Sequence, residues 1–206
     1  MKLILWLSLV SVVAFSQAVT LSSSSATVRP GQQVSVTVGV SGSPATAAFN
    51  FTVNQPAGWT YGTATAGSAA TAANKLVQCG VALTGRICIV YGAANNTLIS
   101  AGPVATIPFM VPANAAPGPV QISLSGITAG SANASPVTLG SPGAVSILVL
   151  SLYDLNGDGA VDNTDLQPVL EQIVGSSACS TGDFNGDGRC DSIDLLIFVV
   201  KGVLKL

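Results

Sequence analysis

The chain of 206 residues contains no histidine, and its first 153 residues contain no aspartate or glutamate. Without imidazole there is no His-activated Ser or Cys nucleophile, no imidazole metal ligand and no side chain whose ordinary pKa lies near neutrality. Without carboxylates, those 153 residues cannot supply the paired acids of glycoside hydrolysis. Charge of either sign is scarce: 7 basic and 9 acidic side chains, 8% of the chain. A formal net charge of −2 leaves no Lys/Arg stripe to neutralise phosphates, which excludes a nucleic-acid binder. What is plentiful is apolar residues, 49%, punctuated by 22 Gly and 11 Pro, the composition of a chain that packs rather than one that stays disordered.

The N-terminus reads as an export leader. Lys2 supplies the positive charge, 3–15 is an apolar run, and Ser16 and Ala18 are small residues at the −3 and −1 positions of a cleavage site after Ala18. The run is shorter than the about 20 residues that span a bilayer, and no later stretch is long enough. Residues 1–18 are therefore expected to be a signal peptide, and the mature chain to be secreted and extracellular, with no membrane span. Four cysteines in an exported chain suggest two disulfides. Of the three pairings they allow, local spacing favours Cys79 with Cys88, across an expected hairpin turn at Leu83-Thr84-Gly85, and Cys179 with Cys190.

From residue 19 to 149, short apolar runs alternate with turn residues. Val34, Val36, Val38 and Val40 repeat at period two, as do Phe49, Phe51 and Val53, then Val120, Ile122 and Leu124, the signature of half-buried strands. Further strands are expected at 75–81, 86–92, 104–111 and 144–150, and no helical period is apparent. Seven to nine such strands predict an all-β antiparallel sandwich or jelly roll. The order of Arg29-Pro30-Gly31-Gln32-Gln33-Val34, Ala48-Phe49-Asn50-Phe51 and Val104-Ala105-Thr106-Ile107-Pro108-Phe109 resembles a cohesin module, a relative of certain carbohydrate-binding sandwiches. The resemblance implies a binding module that takes up dockerins or, in related sandwiches, polysaccharide.

All nine acidic residues lie in the last 53 positions, and eight of them fall in two matching blocks 29 residues apart. Asp154-Leu155-Asn156-Gly157-Asp158-Gly159-Ala160-Val161-Asp162-Asn163-Thr164-Asp165 places oxygen side chains at loop positions 1, 3, 5, 9 and 12, with glycine at 6. Asp183-Phe184-Asn185-Gly186-Asp187-Gly188-Arg189-Cys190-Asp191-Ser192-Ile193-Asp194 repeats the pattern. Calcium takes six to eight oxygens, which an EF-hand-type loop supplies from those positions and from the carbonyl at 7. An ordinary EF-hand carries Glu at position 12 and a helix before the loop; here Asp occupies position 12, and the apolar stretch 146–153 precedes the first loop.

This pattern resembles a dockerin, in which each calcium loop is followed by one helix. The resemblance implies two calcium ions as cofactors. One would be held by Asp154, Asn156, Asp158, the carbonyl of Ala160, Asp162 by way of water, and Asp165. The other would be held by Asp183, Asn185, Asp187, the carbonyl of Arg189, Asp191 and Asp194.

Leu166, Val169, Leu170, Ile173 and Val174 form an amphipathic stripe behind the first loop, with Pro168 tolerable at the third helical position. The second stripe, Leu195, Phe198, Val199 and Val203, is joined by Leu196, Ile197 and Val200 on the other side, an apolar excess that calls either for cover within the chain or for a partner. The tail from residue 150 to 206 follows the sandwich with almost no linker, so the two modules are expected to touch. The expected function is that of a secreted, non-catalytic adaptor, not an enzyme, that docks through calcium-dependent cohesin–dockerin pairing. Its partner would be a cohesin or dockerin of another extracellular protein, or its own sandwich. The alternative is a carbohydrate-binding sandwich carried on a dockerin, with Trp59, Tyr61 and Tyr91 as sugar platforms.

Overall fold

A computed structural model describes residues 17–82, 85–175 and 178–205. Residues 1–16 of the expected leader, and Leu83 and Thr84 of the expected hairpin turn, lie outside them.

Two sheets face each other. The smaller is ordered β1 (Gln17–Ser23), β3 (Gln33–Gly42), β9 (Gly102–Met110) and β5 (Thr60–Tyr61), with β6 (Thr65–Ala66) also on β9. The larger runs β2 (Thr27–Val28), β12 (Val145–Val149), β10 (Gly118–Gly130), β4 (Ala48–Asn54), β8 (Gly85–Tyr91) and β7 (Leu76–Ala82), with β11 (Pro136–Val137) on β10. The period-two residues point inward as their spacing requires. Val34, Val36, Val38 and Val40 of β3 meet Phe49, Phe51 and Val53 of β4 across a core that also takes in Ile107, Phe109, Ile122 and Ile147. Each such side chain removed from water stabilises the sandwich by about 1.5–3 kcal/mol.

Two features depart from the sequence reading. The sandwich is not wholly antiparallel: after β1 the chain crosses to the other sheet, so the two-residue β2 runs parallel to β12. It also contains one helix, α1 (Ser68–Ala72), in a stretch of Ala, Ser and Thr too uniform to show a helical period. Ala69, Ala70 and Ala73 are buried in the core, and a Cβ on the preceding Gly67 would lie 2.5 Å from the backbone of Pro103, so small residues are what let this turn seat against β9.

The expected disulfides form: Cys79 joins Cys88 between neighbouring strands, and Cys179 joins Cys190 in the tail. The tail carries α2 (Leu166–Ile173), α3 (Ser192–Ile197) and a wider π-helical continuation over Phe198–Val203. No helix among the described residues is long and apolar enough to cross a membrane.

Candidate metal centre and docking surface

The two acidic loops fold alike, residue for residue. Asp154 accepts hydrogen bonds from the amides of Gly157 (2.7 Å) and Gly159 (2.9 Å), and Asp183 accepts from those of Gly186 (2.8 Å) and Gly188 (2.9 Å). Asp165 reaches back ten residues to accept from Leu155 (2.8 Å) and Asn156 (3.1 Å), and Asp194 does the same with Phe184 (2.8 Å) and Asn185 (3.2 Å). The remaining oxygens of these two aspartates accept from the amides of Asp162 (2.9 Å) and Asp191 (3.0 Å). Positions 1 and 12 thus close each loop on itself. Asn156 and Asp158, like Asn185 and Asp187, make tight turns onto the amides two residues ahead. Glycine at position 6 is a backbone requirement, since Gly159 and Gly188 have φ of +94° and +85°.

Asp154, Asp165 and Asp194 are fully buried, and their hydrogen-bond partners are backbone amides. Burial works to raise the pKa of Asp194, but the amides of Asp191, Phe184 and Asn185 overcome it and hold the carboxyl below the usual carboxylate value. Asp162 is likewise held low, by the amide and then the hydroxyl of Thr164. Among the described residues no three acidic or cysteine side chains close on one point, because their oxygens are turned onto the amides of their own loops. The donor set nonetheless fits a hard cation. It is made of oxygen only, its Asp162 and Asp194 are held below the usual carboxylate value, and it includes carboxylates taken out of water with no basic partner among the described residues, for which a divalent ion is the natural counter-charge.

The loops are held together behind these aspartates by Phe198 of the second stripe and by groups that periodicity does not reveal. Tyr153, Phe184 and Phe198 form an aromatic cluster with ring centroids 5.2 to 6.5 Å apart. Gly202 makes room for Tyr153, since a Cβ there would lie 2.9 Å from that of the tyrosine. Buried Gln172 accepts from the amides of Ser180 and Gly182 (2.9 Å each) and so fastens α2 to the connection between the repeats. Pro168 occupies the third position of α2, where its missing N–H costs no hydrogen bond.

The family model of the cohesin domain matches residues 18–147. The chain belongs to the cohesin family. The model of the dockerin type I domain matches residues 152–199. Cohesins and dockerins are non-catalytic docking modules, and dockerins of this type bind calcium. Three solved structures illustrate the likeness of fold. The sixth cohesin of scaffoldin B from Acetivibrio cellulolyticus, solved with a mutant dockerin of Cel5, is 22% identical with a TM-score of 0.54, over 65% of this chain and 99% of that one. A cohesin–dockerin complex of type I from Clostridium thermocellum gives 15% identity and a TM-score of 0.55, over 65% and 99%. The non-cellulosomal cohesin of the archaeon Archaeoglobus fulgidus gives 15% and 0.53, over 68% and 96%. No curated protein matches the chain.

In this cohesin the outer face of the larger sheet is broad and uncharged. Leu76 and Gln78 of β7, Ile87, Ile89 and Tyr91 of β8, Asn50, Thr52 and Asn54 of β4, and Ser123, Ser125 and Thr128 of β10 share it by strand register. Leu76 and Ile89 are 54% and 46% exposed. The one charged residue of these four strands, Arg86, lies on the other side beside Val53, over the Tyr61 ring.

The dockerin is fixed to the cohesin at its first loop. The Arg29 guanidinium donates to the carbonyls of Ser151 and Leu155 (3.3 Å each), and a Cβ on Gly159 would lie 3.2 Å from the Leu148 side chain. The expected contact between modules is therefore present, through an arginine that sequence reading did not single out. The two tail helices pack on each other, and Leu170, Val174, Ile193 and Leu196 project into solvent, Leu196 being 62% exposed. The apolar excess of the second helix is thus covered only in part.

The aromatic candidates resolve differently. Trp59 is a core residue, 4% exposed and packed on Phe109. Tyr61 packs between Phe109 and Arg86.

Proposed function

We propose that this chain is an exported, non-catalytic adaptor that joins extracellular complexes by calcium-dependent cohesin–dockerin docking. The observation that carries the reading is the pairing, in one chain, of a cohesin whose uncharged outer sheet is open with a dockerin whose helices leave an apolar ridge uncovered. Two calcium ions give the dockerin its working shape. The first is held by Asp154, Asn156, Asp158, the Ala160 carbonyl, Asp162 through water, and Asp165; the second by Asp183, Asn185, Asp187, the Arg189 carbonyl, Asp191 and Asp194. The chain's own part is to gather these groups on short loops, so that bound ions draw each loop and its following helix into one body.

Docking takes place between chains. Four residues separate the end of β12 at Val149 from Asp154, a reach of about 18 Å at most over five Cα–Cα steps, and Arg29 pins that connection to the end of the sandwich. The tail helices therefore present their ridge to another protein, while the cohesin sheet receives another dockerin. The absence of histidine and the commitment of eight of nine acids to the loops support a purely binding role. The carbohydrate-binding alternative loses one of its three platforms with the burial of Trp59.

Calorimetric titration with calcium, followed by pull-down from the source secretome with and without chelator, tests the reading. It expects two ions per chain and chelator-sensitive capture of cohesin- or dockerin-bearing proteins. No calcium uptake at millimolar concentration overturns it, and recovery of polysaccharide in place of protein favours the alternative.

A further inference from the structure

The first described residue is also one of the most tightly held. Gln17 opens β1, where it pairs with Gly42, and its side chain is 1% exposed. Its Oε1 accepts from the amides of Ala45 (3.3 Å) and Thr46 (3.2 Å), and its Nε2 donates to the carbonyl of Ile99 (2.9 Å). Its own carbonyl accepts from the amide of Gly140 at 3.2 Å. One side chain and one peptide group thus join three separate stretches of chain, around residues 45, 99 and 140, at one end of the sandwich. Thr46 and Ile99 are fully buried, so without Gln17 polar backbone groups in the interior would lose their partners.

A cut after Ala18 would discard this residue along with the pairs Gln17–Gly42 and Ala18–Ser41. The sequence offers a second cut that keeps them: Ala14 and Ser16 are also small residues in the −3 and −1 relation. We propose that the leader is cleaved between Ser16 and Gln17, and that the mature chain begins with Gln17 as a structural residue of β1. Water adds across the Ser16–Gln17 peptide bond under a leader peptidase: the C–N bond breaks, the water oxygen stays on Ser16 as the carboxylate of the released leader, and the Gln17 nitrogen takes both water protons as the ammonium of the new amino terminus.

The proposal rests on the export reading above, and the experiment separates the two. The full chain is expressed in an exporting host, and the product in the medium is characterised by N-terminal sequencing and intact mass. A start at Gln17 with a free amine is expected; a start at Val19 overturns the proposal while leaving export intact. A chain that stays uncleaved inside the cell overturns export and this cleavage together. Two variants sharpen the result. Ser16→Leu places a large residue at the −1 position and is expected to block processing, whereas Ala18→Leu should leave it unchanged; the reverse pattern overturns the proposal. A protein started at Val19 should melt about 5–10 °C below one started at Gln17, and equal melting temperatures would remove the structural reason for the cut.

Discussion

The sandwich and the tail solve the same problem with opposite materials. The sandwich buries carbon: Phe51, Phe109, Ile107 and Ile122 have no exposure at all, and its few charges sit at the margins or, like Lys75, are bonded to the backbone, with Nζ donating to the Asn95 carbonyl at 2.8 Å. The tail has a small apolar interior, with Val169 and Phe198 fully buried, and beside it buries Asp154, Asp165 and Asp194. An apolar core is self-sufficient because leaving water is itself favourable. Buried carboxylates held by amides alone leave charge without counter-charge, so on the proposed function an ion would supply in the tail what the sandwich obtains from its own side chains. The difference teaches that the part of this molecule poor in apolar surface is the part that buries carboxylates.

The largest expected effect is on the tail. If each ion is present at a hundred times its Kd, it adds about 2.7 kcal/mol, so chelator should remove about 5 kcal/mol from the tail and none from the sandwich. Differential scanning calorimetry should show one transition that moves with calcium and one that does not. The double variant Asp154→Ala, Asp183→Ala should abolish the moving transition, and a single cooperative transition that shifts as a whole would break the contrast.

Next in size, Phe109→Ala should cost the sandwich about 3–5 kcal/mol while calcium uptake, read by calorimetry, stays at its wild-type stoichiometry. Arg29→Ala is smaller, about 1–2 kcal/mol for two charge-assisted bonds at a half-buried site. It should widen the gap between the two melting transitions, and proteolysis should then cut the connection near Ser151 more readily.

The smallest effect is one of pH. Burial lowers the pKa of Lys75 below its ordinary 10.5. In the interval between the lowered value and 10.5 the unfolded chain holds the proton and the folded chain has lost it, so stability rises with pH there. Wild type should therefore gain on Lys75→Met as the pH of the melt climbs to 10.5, and a constant difference between the two would contradict the assignment.

Much of this was legible in advance because it is local. Alternation places Val34 to Val40 and Phe49 to Val53 on the inner face whatever the strand order, and the aspartate spacing closes the loops through contacts no more than ten residues apart. What could not be read depends on distant partners. Arg29 contacts residues more than 120 positions away, Gln17 reaches Ile99, and Tyr153 meets Phe184 and Phe198; each looks ordinary among its sequence neighbours. The short helix at Ser68 escaped because alanine and serine carry no apolar contrast, so its direction was set by the core it seats against.

The sequence alone determined the division into a charge-poor sandwich and an acidic tail, the two disulfide pairs and the repeated loops, because periodicity, spacing and composition act within a few residues. Only the tertiary structure decided which aromatic residues are core, which sheet face and helix ridge stay open, and that the tail is clamped at one end of the sandwich. Those outcomes turn on which surfaces the folded chain leaves to water, a property that no short stretch of residues holds by itself.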